Sequence, residues 1–495
     1  MKKRRFSLAF IVCAMILSCS VFAQENKQTS FLASKETSIS KTEAVQIANR
    51  KIALLGNGIQ AKLISCRELK STDQLLAYVV DLEPVGYVVV SATNTLPPVV
   101  AYSFESIFGG LQPDNPLFAL ISADLSKRLK YAHSSGEKYA ERNKNAWINM
   151  LQGSPQSAPE NIAEQWPSTG NGWLKTNWTQ DPPYNNFCPM DPVTSQRSYA
   201  GCPAVAMAQI LNFHQALNNT RFDDQDDYYH NYAGRQYWID TDYAENGFPS
   251  FPQLNTFLDT LQAHYDINQL PDNQDKAAIV FACGVACSQV FTSQGSGTFG
   301  VNQALNAYLR FGFTTVSLLN EENTDLYDRL KQNIKDTLPA HLAVVDEAWA
   351  TGHNVVVDGY NTDDYYHLNF GWGGSYNGWY LLPEEIPFNL TVVEGVVLDI
   401  IDLTTHIADQ LVDASADVTV SPNPSNNFIT IKFHNPGSDP FTLAIYHTSG
   451  QLVQTNHNIK GSEIHFDVQK LRSGIYLIVL SDQYGRRKQG KINVL

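Results

Sequence analysis

The pattern of apolar and polar positions changes period along the chain. Ser40-Lys41-Thr42-Glu43 has capping-box spacing, and Ala44, Ile47, Ala48 and Ile52 follow three and four apart, which predicts a helix over about 41–55. Ala77 to Leu82 and Tyr87 to Ala92 are strand-like runs around Glu83-Pro84-Val85-Gly86, and Pro116 to Ala132 has helical character, so a small α+β unit is expected first. Gly56-Asn57-Gly58-Ile59-Gln60-Ala61 has the outward form of a dinucleotide fingerprint but follows a helix, where the mechanism needs a strand leading into one. It reads as a helix stop and turn. From Leu151 to Gly172 the chain is rich in Ser, Pro, Gly and Gln, which break elements and leave backbone open to proteases, and this marks a boundary. The block up to about residue 404 holds most of the Trp, Tyr and Gly and predicts a larger mixed α/β domain. Beyond the polar stretch Asp413 to Asp417, alternation at Ile429, Ile431, Phe433 and over Ile475 to Leu480, with turns at Ser449-Gly450 and Tyr484-Gly485, predicts a β-sandwich.

Length and composition fit this division. At 495 residues the chain exceeds one core, and about 150 residues per domain gives three. Charged residues make up 17%, below the average of about 25%, and aromatics 11%, a balance typical of exported proteins. A net charge of −14 without a Lys/Arg-rich patch argues against a nucleic-acid partner. The start explains the export: Lys2-Lys3-Arg4-Arg5, an apolar run from Phe6 to Val21 and the small-residue site Val21-Phe22-Ala23 predict a signal peptide over 1–23. A lipoprotein site at Cys19 is the alternative, but Ile16-Leu17-Ser18 fits a lipobox less well than Ala23 fits ordinary cleavage. No later segment approaches the ~18 uninterrupted apolar residues of a membrane span. Removing the signal leaves Cys66, Cys188, Cys202, Cys283 and Cys287, an odd number, so at least one thiol is expected to be free.

The informative thiol is Cys202, in Tyr199-Ala200-Gly201-Cys202-Pro203-Ala204-Val205-Ala206-Met207-Ala208-Gln209-Ile210-Leu211. Gly201 supplies a turn, Pro203 suits a first helical turn and the Ala-rich run propagates a helix, so Cys202 is predicted at a helix N-terminus, where free N–H groups favour a thiolate. A thiolate needs a group that holds its proton and later passes it to a leaving amine. His353, in Thr351-Gly352-His353-Asn354-Val355-Val356-Val357-Asp358-Gly359-Tyr360, opens an apolar run that reads as a buried strand. Tyr365 to Phe370 reads as the next strand, ending in a Gly- and Trp-rich loop. Nucleophile first, with the histidine about 150 residues downstream, is the papain-like order. Other readings are bland: His367 is structural, Cys283 and Cys287 are small core residues rather than half a metal site, and Asp223 to Asp227 is a solvated acidic loop. There is no Gly-x-Ser-x-Gly and no His-Glu-x-x-His, and neither a metal nor another cofactor is implied.

The strings Gly-Cys-Pro-Ala-Val-Ala-Met-Ala-Gln-Ile, Gly-His-Asn-Val-Val-Val-Asp-Gly-Tyr and His-Leu-Asn-Phe-Gly-Trp-Gly-Gly resemble the streptopain family of cysteine peptidases. The resemblance implies an α+β fold: a papain-like peptidase domain over 159–404 behind a small α+β inhibitory propeptide over 24–158. It implies Cys202 and His353 as the catalytic pair and Gln180, in Trp178-Thr179-Gln180-Asp181-Pro182-Pro183-Tyr184-Asn185, as an oxyanion-hole donor. Phe370 departs from the family's Trp-Gly-Trp-Gly-Gly, whose first Trp packs beside the histidine; Trp372 keeps the second position. Asn369 is the motif's side-chain amide and a candidate orienting group, while Ser296 and Gly352 are candidate substrate-cleft residues. Residues 418–495, after a linker over 405–417, resemble the all-β C-terminal sorting domain of type IX secretion: Ser421-Pro422-Asn423-Pro424, Leu471-Arg472-Ser473-Gly474-Ile475-Tyr476 and a basic end. The implied product is a secreted or surface endopeptidase made as a zymogen, with protein or peptide substrates, its own propeptide as inhibitor and the type IX machinery as partner. A Cys-His amidase or acyltransferase on cell-wall peptides, or an inactive adhesin, stays open on the residues alone.

Overall fold

The computed structural model describes residues 36–55, 60–134, 136–152, 163–168, 170–320, 322–345, 352–384, 392–401, 418–433, 435, 440–447, 452–482 and 487–495. The signal peptide, the Gly56–Ile59 turn, the 405–417 linker and the turns at Ser449-Gly450 and Tyr484-Gly485 lie outside them.

The predicted capping box is present: Glu43 N–H donates to Ser40 Oγ at 3.3 Å and Ser40 N–H to the Glu43 carboxylate at 2.8 Å, opening α1 (Lys41–Leu54). Strands β1 (Lys62–Ser71), β2 (Gln74–Glu83), β3 (Tyr87–Ser91) and β4 (Val99–Ser103) form an antiparallel meander, followed by α2 (Pro116–Ser134) and α3 (Glu137–Gln152). Beyond β5 (Gln165–Trp166), helix α4 (Cys202–His214) is apolar nearly all round and sits in a core. The hairpin β6 (Tyr228–Tyr232) and β7 (Arg235–Ile239) leads to α5 (Phe251–Asp266), α6 (Asn273–Ala286), α7 (Asn302–Arg310), β8 (Ser317–Leu319) and α8 (Leu326–Lys335). Strands β9 (Ala340–Val345), β10 (Gly352–Asn361), β11 (Tyr365–Asn369), β12 (Gly378–Leu381) and β13 (Val393–Leu398) complete this region.

One antiparallel sheet runs through both halves in the order β1-β2-β3-β4-β12-β11-β10-β9-β13-β8, with β5 on β10. The join is β4 against β12, where Tyr102 faces Trp379 and Ala101 faces Tyr380. Their apolar residues merge as well: Tyr87, Phe108 and Leu117 share a core with Tyr366, Leu368, Phe370 and Tyr380. The α+β architecture expected from the sequence is therefore present, with the N-terminal unit built into the sheet of the larger one. Helix α4 packs on β10 and β9 from one side and on α6 and α7 from the other.

At the C-terminal end, β14 (Val418–Ser421), β15 (Phe428–Phe433) and β18 (Glu463–Asp467) form one sheet, and β16 (Phe441–His447), β17 (Leu452–Ile459), β19 (Gly474–Asp482) and β20 (Arg487–Val494) a second. Ile429, Ile431, Leu443, Ile445, Ile478 and Leu480 alternate inward from both, as in a sandwich. Among the described residues no helix is long and apolar enough to cross a membrane.

Candidate active site

Gly201 determines where α4 starts. Its φ of +86° suits glycine, and a Cβ there would meet Gln289 Oε1 at 2.8 Å. Gln289 is fully buried and its Nε2 donates to the Ala200 carbonyl at 2.7 Å, fixing the approach to Cys202. With Pro203 in the first turn, the Cys202 sulfur comes to lie at the helix N-terminus, facing β10. Burial pushes the thiol pKa up. Hydrogen bonds from the backbone and side chain of Asn354 and from the Cys202 N–H pull it back.

His353, near the start of β10, is held by the loop after β11. Its Nε2 lies 2.8 Å from the Phe370 carbonyl, which only accepts, so Nε2 carries the proton and Nδ1 keeps a free lone pair. Trp372 stacks on the imidazole at a centroid distance of 3.9 Å and 21°, with Phe370 at 5.7 Å, so the nearest aromatic cover comes from the second position of the motif. Burial pushes His353 down to about 4, opposed by the Phe370 carbonyl. No hydrogen bond joins this imidazole to the thiol among the described residues.

Asn369 does not orient His353 directly. Its Nδ2 donates to the Thr176 carbonyl at 2.9 Å, and its Oδ1 accepts from Gln209 Nε2 at 3.2 Å and from Gly371 N–H at 3.0 Å. The Phe370 carbonyl is the histidine's partner, and Asn369 braces the backbone on either side of it. Gln209, about two helical turns past Cys202 on α4 and wholly buried, also accepts from Thr176 Oγ1 and Trp178 N–H at 2.9 and 3.2 Å. It ties the segment bearing Gln180 to the cysteine helix. Ala200 N–H donates to the Gln180 carbonyl at 3.1 Å, which brings Gln180 alongside the approach to Cys202.

Ser296 turns its hydroxyl inward, accepting from Thr292 N–H at 2.9 Å and donating to the Thr292 carbonyl at 3.1 Å. This shapes the loop, which is anchored by buried Asp191: the carboxylate takes Ser293 N–H at 2.9 Å and pairs with Arg235 Nη2 at 2.8 Å. Those contacts, with burial opposing, hold the Asp191 carboxyl well below the usual range. Gly352 lies beside His353 in a cleft of about 310 Å³ with Phe370 and Trp372. Pro113, Asp114, Pro116 and Leu120, from the N-terminal unit, line the same cleft, so that unit borders the histidine.

That cover is bonded at depth. Tyr87 and Tyr380 hydroxyls meet at 2.6 Å, Ser103 and Ser106 both donate to the Asn377 carbonyl at 2.7 Å, and Lys51 reaches Asp363 at 3.1 Å. His367, a structural histidine as read from sequence, bridges the two halves: Nδ1 is 2.6 Å from Asp358 and Nε2 2.6 Å from Glu105. Against burial, Asp358 and then Glu105 raise it to about 9. Cys188, Cys283 and Cys287 are buried free thiols raised by burial, and no metal-binding cluster occurs among the described residues.

A cysteine at a helix start against an antiparallel sheet that carries a shielded histidine is the layout of a papain-like thiol peptidase, here under a covering domain. Residues 178–380 match the Peptidase C10 family, residues 36–127 the Spi protease inhibitor and residues 419–494 the secretion system C-terminal sorting domain. The chain therefore carries a streptopain-family peptidase domain behind an inhibitor-type propeptide domain, and its C-terminal domain directs type IX secretion to the cell surface or beyond. The thiol protease/hemagglutinin PrtT of Porphyromonas gingivalis is 25% identical over 313 residues, covering 60% of this chain and 32% of its own length. The chain thus spans about a third of that relative. Streptopain of Streptococcus pyogenes is 22% identical over 394 residues, covering 74% and 88%. A fragment of Prevotella intermedia prointerpain A aligns over 68% of this chain and 98% of its own, with a TM-score of 0.45 and 24% identity.

The sequence reading did not single out Glu105, Gln209, His341 or Asn354. A signal existed for two of them: Gln209 is an amide inside an otherwise apolar run and Asn354 one at the head of another, and a polar side chain that becomes buried there needs a partner.

Proposed function

We propose that the chain is the precursor of a secreted cysteine endopeptidase with Cys202 as nucleophile and His353 as general base and acid. The observation that carries this reading is the convergence of the α4 N-terminus with the β10 strand that presents His353. Once uncovered, His353 Nδ1 takes the thiol proton and the sulfur attacks the substrate carbonyl carbon, forming the C–S bond. The Gln180 side chain and the Cys202 N–H bind the oxyanion, a contribution of about 3 kcal/mol per donor. His353 passes its proton to the leaving nitrogen as the C–N bond breaks. It then takes a proton from water, which attacks the thioester and releases the acid and the thiolate. Trp372 and Phe370 keep water off the imidazole, and Asn369 braces the Phe370 carbonyl that holds Nε2–H. Ser296 and Gly352 border the substrate groove, and a hydrophobic substrate side chain just upstream of the cleaved residue is expected.

Residues 24 to about 158 act as the inhibitor and are cut from the peptidase domain in the Ser/Pro-rich stretch, by the enzyme itself, and the sorting domain over 418–495 leaves after export by the type IX machinery. If purified full-length Cys202→Ala is processed as fast as the unaltered protein, self-cleavage is wrong. Labelling the processed protein with a thiol-specific epoxide while following casein digestion tests the activity. Labelling at Cys202 without proteolysis points to an amidase, and no labelling to an adhesin.

A further inference from the structure

Next to His353, the same strand presents a second polar side chain to the nucleophile. Asn354 Nδ2 lies 3.9 Å from Cys202 Sγ, within reach for a donor to sulfur. Asn354 Oδ1 is 2.7 Å from His341 Nε2 on the neighbouring strand β9, and His341 Nδ1 is 3.1 Å from the Tyr308 hydroxyl on α7. Both His341 and Tyr308 are fully buried.

The direction of this chain follows from its members. Burial holds the Tyr308 phenol far above its ordinary pKa, so it stays protonated and donates to Nδ1. Burial also pushes His341 down to about 4, so the ring is neutral with its single proton on Nε2. That proton goes to Asn354 Oδ1, which fixes the amide with its NH₂ toward the sulfur. A network serving only its own burial has no need to end on a thiol; a backbone carbonyl or a hydroxyl would close it more strongly.

We propose that Asn354, aimed by His341 and Tyr308, is a hydrogen-bond donor that steadies the Cys202 thiolate. This rests on Cys202 being the nucleophile. In the covered form, where His353 faces the Phe370 carbonyl, Asn354 is the side chain bonded to the sulfur. Of the charged groups on the other helices around α4, Asp275 of α6 is paired with His264 and Arg310 of α7 with Asp226, and Lys276 of α6 is part-exposed. The ionisable side chains of β9 and β10 nearest this end of α4 are His341 and His353 themselves, and the influences on the thiol are burial and the Asn354 and Cys202 hydrogen bonds.

The test is the pH dependence of iodoacetamide alkylation at Cys202, read by peptide mass mapping on the full chain. Asn354→Ala should move the midpoint up by about one pH unit, making alkylation below it about tenfold slower. The isosteric Asn354→Asp, which places a carboxylate beside the sulfur, should move it further. Tyr308→Phe and His341→Leu should move it the same way by less, and His341→Gln, which keeps an N–H for Oδ1, should restore it. An unchanged midpoint in both folded Asn354 variants overturns the proposal, as does a downward shift with Asp. If the processed protein, freed of its N-terminal cover, neither alkylates at Cys202 nor digests casein, it is the peptidase reading that falls.

Discussion

Replacing Glu105 by Gln perturbs the charge cluster that fastens the covering domain to the peptidase sheet, and its effect has a pH signature. His367 is buried between Asp358 and Glu105, at 2.6 Å from each. Burial alone would lower the imidazole; Asp358 first and Glu105 second raise it from 6.5 to about 9. That rise corresponds to about 3 kcal/mol in favour of the imidazolium. Asp358 remains in the variant, and Glu105 keeps 29% of its side-chain surface exposed, where solvent screens the pair, so its portion reduces to ~1 kcal/mol. The sign is fixed by the direction of each shift. A raised histidine contributes fully below 6.5 and loses its contribution as pH rises through about 9, whereas the lowered Glu105 contributes above its ordinary pKa of 4.5 and loses it on acidification. The assay is digestion of the N-terminal domain itself in full-length Cys202→Ala precursor by added processed enzyme, with and without Glu105→Gln, followed by gel densitometry of that domain's own band at pH 6 and pH 9. The ratio of the two substrates at each pH cancels the enzyme's own pH dependence. The Gln variant should be digested about fivefold faster at pH 6 and at nearly the same rate at pH 9. Equal rates at pH 6, or an undiminished advantage at pH 9, would refute the reasoning.

Two further outcomes test the site itself. Gln180→Ala should lower kcat of the processed enzyme by roughly 10²–10³ with little change in KM, in steady-state kinetics on a peptide substrate. Asp191→Asn leaves Arg235 buried with its charge uncompensated and strips Ser293 of a strong acceptor. It should destabilise by about 3 kcal/mol, seen as a lower Tm in calorimetry, and raise KM as the loop carrying Ser296 loosens.

What was legible in the sequence is what neighbouring residues decide. Gly201, Cys202 and Pro203 specify a helix start without outside help, and α4 begins at Cys202. The apolar run after His353 specifies a buried strand, and β10 spans it. Contacts that close over distance carry no such mark: Glu105 and His367 stand 262 positions apart, and neither local pattern hints at the other. Asn369 shows the limit within a motif. It was the visible amide beside the histidine strand, yet Gln209 and Thr176 claim its polar atoms, so the orienting acceptor became a backbone carbonyl, which any residue at 370 can supply.

The same distinction governs how the site is uncovered. Read from the sequence, the N-terminal unit is a separate domain on a cleavable tether. In the structure, β4 is hydrogen-bonded to β12, the Tyr87 and Tyr380 hydroxyls meet at 2.6 Å, and Phe108 and Leu117 share a core with Phe370 and Leu368. Cutting the chain between the two parts removes only the loop-closure advantage of a single chain, which changes slowly with length, and leaves the strand pairing and shared apolar burial in place. Cleavage alone is therefore not expected to open the cleft. On the proposed function, the cover is expected to leave when its own attachments fail, by further digestion or by loss of the buried charges at His367 and Lys51, so that those attachments rather than the tether set the latency of the precursor.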